Sequence, residues 1–407
     1  MPLNQENLTT VDPQRFLKEI RDGFESIGLG DIELLRLPQD LSADRLLLTL
    51  EKKSLPSLNI SVALVGGIPI IARLGQGGMG AVYYGFHPRL RTQVAIKILP
   101  LDASQRNPDL IERFKREAHA AAKIRSPHLV SVLDINEDRG LFYMVLEYVH
   151  GLSAGSLLRT LDSKSIRMSE LDALQICYAA TKGLAAAHQE NVIHRDIKPD
   201  NIMIPFVKNS STADYITSKL ADLGLARIES NKDVLTQDQA AMGTPGFMAP
   251  EQATDAHDAT TASDVFSMGA TLYNLLSGRP PFQSTTAMKT ILETLNVPHL
   301  PIRQLRSDVP EDISKLLDRC LSKTPAQRIK NGTELLHELA HILATRNPST
   351  IIEAPSTIQE NIAEKVDETS PNDFIPKRDL PHDWWTPLRD GITSIRRENP
   401  HGEAAAL

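Results

Sequence analysis

Residues 194–201 read His194-Arg195-Asp196-Ile197-Lys198-Pro199-Asp200-Asn201. This short stretch supplies a carboxylate that can take a proton from a hydroxyl (Asp196), an ammonium that can steady a negatively charged group in transit (Lys198) and an amide oxygen that can bind a metal (Asn201). Apolar pairs flank it, Val192-Ile193 before and Ile202-Met203 after. They read as short buried strands on either side of a loop, a rigid mount for side chains that must hold one geometry. Alone, the stretch reads equally well as a polar turn, so its meaning depends on partner motifs elsewhere.

Those partners occur on both sides. Upstream stands Leu74-Gly75-Gln76-Gly77-Gly78-Met79-Gly80-Ala81-Val82. Without side chains at the glycines, such a hairpin can fold over phosphate oxygens and offer them backbone N–H groups. A dinucleotide-binding turn shares the pattern but leads into a helix, whereas Tyr83-Tyr84-Gly85-Phe86 continues as a strand. The alternating segment Gln93 to Leu99 reads as a further strand with Lys97 on its cleft face. A buried lysine there needs a carboxylate, and the helical segment Pro108 to Ile124 offers one. Glu117 is preferred over Glu112 because it precedes Ala118 to Ala122, a run that is small apart from His119 and suits a face packed closely on a sheet. Downstream, Asp222-Leu223-Gly224, on its own an ordinary turn, offers a carboxylate that can join Asn201 at a metal.

The order continues with Gly243 to Glu251 (GTPGFMAPE), then Ser263 to Gly269 (SDVFSMG), then Lys323 to Ile329 (KTPAQRI). Together these motifs resemble the protein kinase superfamily over residues 67–344, and most closely the PknB-like bacterial serine/threonine kinases. The resemblance implies an α+β, two-lobed protein kinase fold: a small antiparallel-sheet N-lobe with one regulatory helix, and a larger, mainly helical C-lobe. It implies ATP and Mg2+ as cofactors and protein substrates with Ser/Thr acceptors. By the same resemblance, residues 74–82, Ala95, Lys97, Leu146, Glu147 and Val149 would contact the nucleotide, with Glu117 pairing Lys97 and Leu146 at the gatekeeper position of the hinge. Asp196 would be the catalytic base, Lys198 would neutralise the moving phosphoryl group and mark a Ser/Thr enzyme, and Asn201 with Asp222 would hold the metal. Glu251 is expected to pair with Arg328, and Asp264 to brace the catalytic loop. Leu223 replaces the family's phenylalanine but keeps an apolar anchor. Relatives often carry two phosphorylated threonines in the activation loop; here the positions are Thr236 and Asp238. Thr236 is therefore the expected autophosphorylation site, with dimerisation as a route to modification in trans, and Asp238 is a built-in single charge where phosphothreonine carries about 1.5 to 2.

The chain has 407 residues, room for one two-lobed domain with extensions. Its net charge of −7 disfavours a nucleic-acid-coating surface. Cys177 and Cys320, the only cysteines, sit in apolar helical patterns and read as buried thiols. The start lacks a basic, apolar leader pattern, and the apolar stretch Leu58 to Leu74 is interrupted by Gly66-Gly67 and Pro69, so no transmembrane segment and a cytoplasmic location are expected. Three regions follow. Residues 1–66 are expected as a helical extension, with one helix over Pro13 to Ile27 and a second over Ser42 to Lys53 opened by a serine cap; residues 67–345 as the kinase domain; residues 346–407 as a largely disordered, Pro-rich tail carrying Trp384-Trp385. The run between Asn201 and Asp222 reads as an extended hairpin with a polar turn at Lys208 to Asp214. A catalytically dead signalling scaffold is the rival function, and retention of Lys97, Asp196, Asn201 and Asp222 argues against it. A small-molecule phosphotransferase is a third reading, opposed by the GTPGFMAPE segment.

Overall fold

The computed structural model describes residues 39, 41, 43–55, 60–77, 80–99, 115, 118, 120–208, 210–223 and 245–346. Two hydrophobic cores divide them into two lobes. The upper lobe is a seven-stranded antiparallel sheet: β1 (Glu51–Leu55), β2 (Ile60–Val65), β3 (Ile68–Gly77), β4 (Gly80–His87), β5 (Thr92–Ile98), β6 (Val132–Asp138) and β7 (Leu141–Glu147), in the order β1-β2-β3-β4-β5-β7-β6. Strand alternation sets its two faces. In β5, Val94, Ile96 and Ile98 enter the core with Tyr83 and Val145, while Ala95 and Lys97 take the opposite face. Helical residues at Lys115, Ala118 and 120–123 follow β5, and the Lys115 ammonium lies 5.2 Å from the Phe142 ring centre.

The structure corrects two local expectations. Residues 43–53 do not form the expected helix. Asp44 caps a short 3-10 turn (Arg45–Leu47) by accepting from Leu46 N–H at 3.1 Å, and its other oxygen accepts from Tyr83 O–H at 2.9 Å. The turn delivers Leu47 and Leu50 into the upper core, and from Glu51 onward the backbone pairs with β2, Glu51 opposite Leu64. The sheet of this lobe therefore begins at Glu51, and residues 66 and 67 form a hairpin turn inside it. Both glycines there have positive φ, and a Cβ on Gly66 would lie 1.8 Å from Tyr143 Oη, so only glycine fits that close approach. Second, Val192-Ile193 is not a strand. Val192 N–H instead bonds to Ala187 C=O at the end of the preceding helix.

The lower lobe is mainly helical. It begins with β8 (Gly151–Ser153) and α1 (Ala154–Ser163), capped by Ser153, and continues with α2 (Glu170–Gln189), which is buried on most of its faces and capped by Ser169. A small sheet pairs β9 (Ile202–Pro205) with β8 and with β10 (Lys219–Leu220). Between β9 and β10 the chain runs on as a hairpin-like loop, with Phe206 bridging Ala213 and Val207 N–H bonded to Thr212 C=O. Helix α3 (Pro250–Thr254) leads to α4 (Thr261–Ser277), whose start is fixed by reciprocal Thr260 and Ser263 capping and whose end is a left-handed Gly278. Cys177 and Cys320 are both free and buried here. No helix of the described residues is long and apolar enough to cross a membrane.

Candidate active site

The catalytic loop is held from beneath by one fully buried carboxylate. Asp264, in the first turn of α4, accepts from His194 N–H at 2.7 Å, Arg195 N–H at 2.8 Å and His188 Nε2–H at 2.8 Å. Gly332 N–H donates to His188 Nδ1 at 2.9 Å, which places the imidazole proton on Nε2, facing Asp264. Gln252 Nε2 donates to Arg195 C=O at 2.7 Å. These bonds fix Arg195 at φ +66°, a left-handed conformation that costs about 1–3 kcal/mol for a non-glycine residue. His194 is itself buried; burial pushes its pKa below the usual histidine range despite Asp264 and Asp196 nearby, and Nε2–H donates to Ala221 C=O at 3.1 Å.

Above this base the predicted chemical residues converge. Lys198 Nζ lies 3.2 Å from Asp196 Oδ2, and Asn201 Nδ2 donates to the same oxygen at 3.0 Å and to Asp196 C=O at 2.7 Å. Both amide hydrogens of Asn201 are thus turned toward Asp196, which leaves Oδ1 as its outward atom. A 3-10 turn (Pro199–Asn201) sets this geometry, and Ala221 N–H bonds to Asn201 C=O at 2.8 Å, bringing Asp222 alongside. Asp222 also has positive φ, +58°, and ion-pairs with Lys97 across the cleft. Burial raises the Asp222 pKa, but the Lys97 ammonium outweighs it and holds the carboxyl below the usual aspartate range; 43% of the side chain is exposed, so cleft water tempers the burial cost.

The glycine hairpin closes the cleft from above. Gly75 pairs with Val82, Gln76 with Ala81 and Gly77 with Gly80. Gly80 has φ +117°, and a Cβ there would meet Ile98 C=O at 1.9 Å. Leu74 and Val82 are half-buried, Ala95 lies opposite Leu146 and Lys97 opposite Met144. Two of the expected nucleotide contacts, Ala81 in the glycine hairpin and Glu147 in the hinge, have only their backbone free to meet a nucleotide, which is the backbone mode expected of those segments. The Ala81 side chain belongs to the upper core, so that residue can offer only backbone. The Glu147 carboxylate is occupied by Lys219 at 2.6 Å, so it too can serve a nucleotide only through its backbone. Val149 is buried at the lobe junction.

Glu117, Gly78, Met79, Gly224, Thr236, Asp238, Thr244, Trp384 and Trp385, the helix over 13–27 and the tail from 347 lie outside the described residues. The predicted Glu251–Arg328 pair is present as a two-pronged contact at 2.6 and 2.8 Å, with the arginine side chain fully buried. Sequence reading missed His188, Gln252 and Lys219. Each acts on a partner far along the chain, and only the glutamine, directly after Pro250-Glu251, sat inside a motif already in view.

A curled antiparallel sheet over a mainly helical lobe is the architecture of a protein kinase domain. The protein kinase domain model matches residues 69–340, and the chain belongs to that family. It is 33% identical over 304 residues to the serine/threonine-protein kinase PknA of Mycobacterium tuberculosis, a match covering 74% of this chain and 66% of that one. It is 30% identical over 302 residues to the serine/threonine-protein kinase PrkC of Bacillus subtilis, covering 74% and 44% respectively. The chain thus spans about two fifths to two thirds of the length of the curated relatives it matches. Its fold is like that of the PknI kinase domain of Mycobacterium tuberculosis, with a TM-score of 0.53 at 24% identity over 68% of this chain and 95% of that one.

Proposed function

We propose that this chain is an ATP-dependent serine/threonine protein kinase, transferring the γ-phosphoryl group of ATP to hydroxyls of protein substrates. The observation that carries the reading is the convergence of Lys198 and Asn201 on Asp196 beside the Lys97–Asp222 pair. Asp196 accepts the hydroxyl proton as the oxygen attacks, and Lys198, 3.2 Å away, offsets charge on the phosphoryl group in flight. Lys97 orients the nucleotide phosphates, and the hairpin backbone at Gly75 to Gly80 covers them. The donor set suits magnesium. Asn201 Oδ1 and the Asp222 carboxylate are hard oxygen donors, few in number, as befits a cation that keeps waters and shares phosphate oxygens. Asn201 and Asp222 would hold the ion, which would supply positive charge to offset that of the phosphates.

Transfer of labelled phosphate from ATP to a generic protein acceptor, followed by phosphoamino-acid analysis, tests the reading. Label on serine or threonine that disappears in Asp196→Asn and Lys97→Met supports it, and near-normal turnover in either variant rejects it. We further propose Thr236 as the site of autophosphorylation, modified by a second copy. The full chain incubated with ATP should carry phosphate at Thr236 by mass spectrometry, at a rate that rises with protein concentration; full activity with Thr236 unmodified rejects this.

A further inference from the structure

A second ion pair crosses the lobe junction, away from the catalytic loop. Glu147 ends β7, where the chain passes from the upper lobe to the lower. Its carboxylate makes two contacts: Oε1 accepts from Lys219 Nζ at 2.6 Å, and Oε2 accepts from Ser131 N–H at 3.3 Å. Its own N–H bonds to Ser131 C=O at 2.9 Å. Glu147 therefore ties together the last residue before the lobe crossing, the segment that follows the upper-lobe helix, and β10.

Both other ends are anchored in the lower lobe. Segment 126–131 lies along β10: Leu220 N–H bonds to His128 C=O at 2.8 Å, Val130 N–H to Leu220 C=O at 2.9 Å, and the His128 ring Nδ1 is 3.0 Å from Ser218 C=O. Helix α2 presses on it closely enough that a Cβ on Gly183 would meet His128 C=O at 2.3 Å. Lys219 begins β10, two residues before Ala221, whose backbone fixes Asn201 and His194, and three before Asp222. The Glu147 and Lys219 side chains are 30% and 19% exposed, so the pair is largely shielded from water and less screened than a surface pair. A short path of bonded groups therefore runs from the hinge, which would hold the adenine, to the aspartate that faces the phosphates.

We infer that Lys219 is a positioning residue for nucleotide: by clasping Glu147 it sets the spacing between the hinge and the Asp222 strand, and so the affinity for ATP more than the speed of transfer. This rests on the kinase reading above. Its physical content is a coupling between groups in direct contact, which spans about 0.5–3 kcal/mol for such pairs. A 5- to 10-fold change in affinity corresponds to about 1–1.4 kcal/mol, which lies within that range.

Two measurements on the full chain test it. First, amide hydrogen exchange of the nucleotide-free protein compares wild type with Lys219→Met and Lys219→Arg. Lys219→Met should accelerate exchange in segments 128–131 and 218–222 several-fold, and Lys219→Arg should restore protection; unchanged exchange in Lys219→Met overturns the clasp. Second, the KM for ATP in Lys219→Met should rise about 5- to 10-fold, with kcat falling less than about 3-fold, and Glu147→Gln should add little in the double variant. A loss confined to kcat, additive effects of the two substitutions, or a gain in kcat/KM would overturn the positioning role. If the unaltered chain neither binds nor uses ATP, the proposed function fails, while the exchange arm still decides whether the clasp exists.

Discussion

Replacing Asp264 with asparagine tests how the catalytic loop is supported, because the change is nearly isosteric and removes only a charge and one acceptor. Asp264 accepts three hydrogen bonds, from His188 Nε2–H, His194 N–H and Arg195 N–H, at a site with no solvent access. Asparagine has one oxygen to offer. If that oxygen faces His188 and His194, its NH2 group meets Arg195 N–H; in the flipped orientation it meets two donors. His188 cannot relieve the conflict by moving its proton, since Nδ1 already accepts from Gly332 N–H. The two surviving bonds lose their charge assistance, about 1 kcal/mol each, and one orphaned backbone donor costs about 1–3 kcal/mol, a total of about 3–5 kcal/mol. That is a large share of a typical domain stability of about 5–15 kcal/mol.

The same substitution has a kinetic signature. The orphaned donor belongs to Arg195, whose left-handed backbone aims Asp196, so kcat should fall about 100-fold or more even where the protein remains folded, on the scale set by a shift of about 1 Å in a reacting group. Urea unfolding followed by far-UV circular dichroism suits the stability measurement. The only tryptophans, Trp384 and Trp385, follow Arg346 in sequence and so lie outside the described residues, whereas circular dichroism reads the helices of the lower lobe directly. A stability loss below about 1 kcal/mol, or an unchanged kcat, would refute the reasoning.

Two further outcomes follow from other contacts. Glu251→Gln removes the counter-charge of the fully buried Arg328 guanidinium, which keeps its bonds to the Ser322, Ala262 and Lys323 carbonyls, and should cost about 3 kcal/mol near neutral pH. Burial opposes ionisation of Glu251, but bonds from Arg328 and Ser263 hold its pKa below the usual 4.5, so its stabilisation is complete above that value and lost as pH falls through the lower folded value. The gap in urea midpoint between wild type and variant should therefore narrow as pH drops from 5 toward 3, and a constant gap would count against the assignment. Leu47→Ala, at a fully buried position of the upper core, should cost about 2–5 kcal/mol in thermal or urea unfolding despite lying ahead of the matched kinase residues; a loss under about 0.5 kcal/mol would mean that the 3-10 turn is not part of that lobe's core.

The parts of this protein that could be read from its sequence are those where chemistry demands a residue type at a fixed spacing. Asp196, Lys198 and Asn201 had to lie within one turn of each other to share an oxygen, and they do. What holds them was less visible. Asp264 could be named only through resemblance, and His188 and Gln252 act on partners 76 and 57 residues away with nothing local to mark them. Leu46, Leu47 and Leu50 have helical spacing, and the expected helix over 42–53 followed from it. The outcome was decided instead by a ladder with residues 60–65, which satisfies the backbone from Glu51 onward and leaves Leu48 facing solvent.

Val192 makes the same point at the edge of the active site. Its apolar character correctly foretold burial, but burial does not say which acceptor the backbone N–H will find. In an isolated strand reading, that N–H needs a neighbouring strand; here the preceding helix ends just before it, and Ala187 C=O, one of the carbonyls a helix terminus leaves unpaired, takes the bond. The chain therefore enters the catalytic loop from a helix C-terminus rather than from a sheet. Rigidity that a flanking strand would have supplied comes from Asp264 beneath the loop, which is why the loop's geometry should be so sensitive to that one carboxylate.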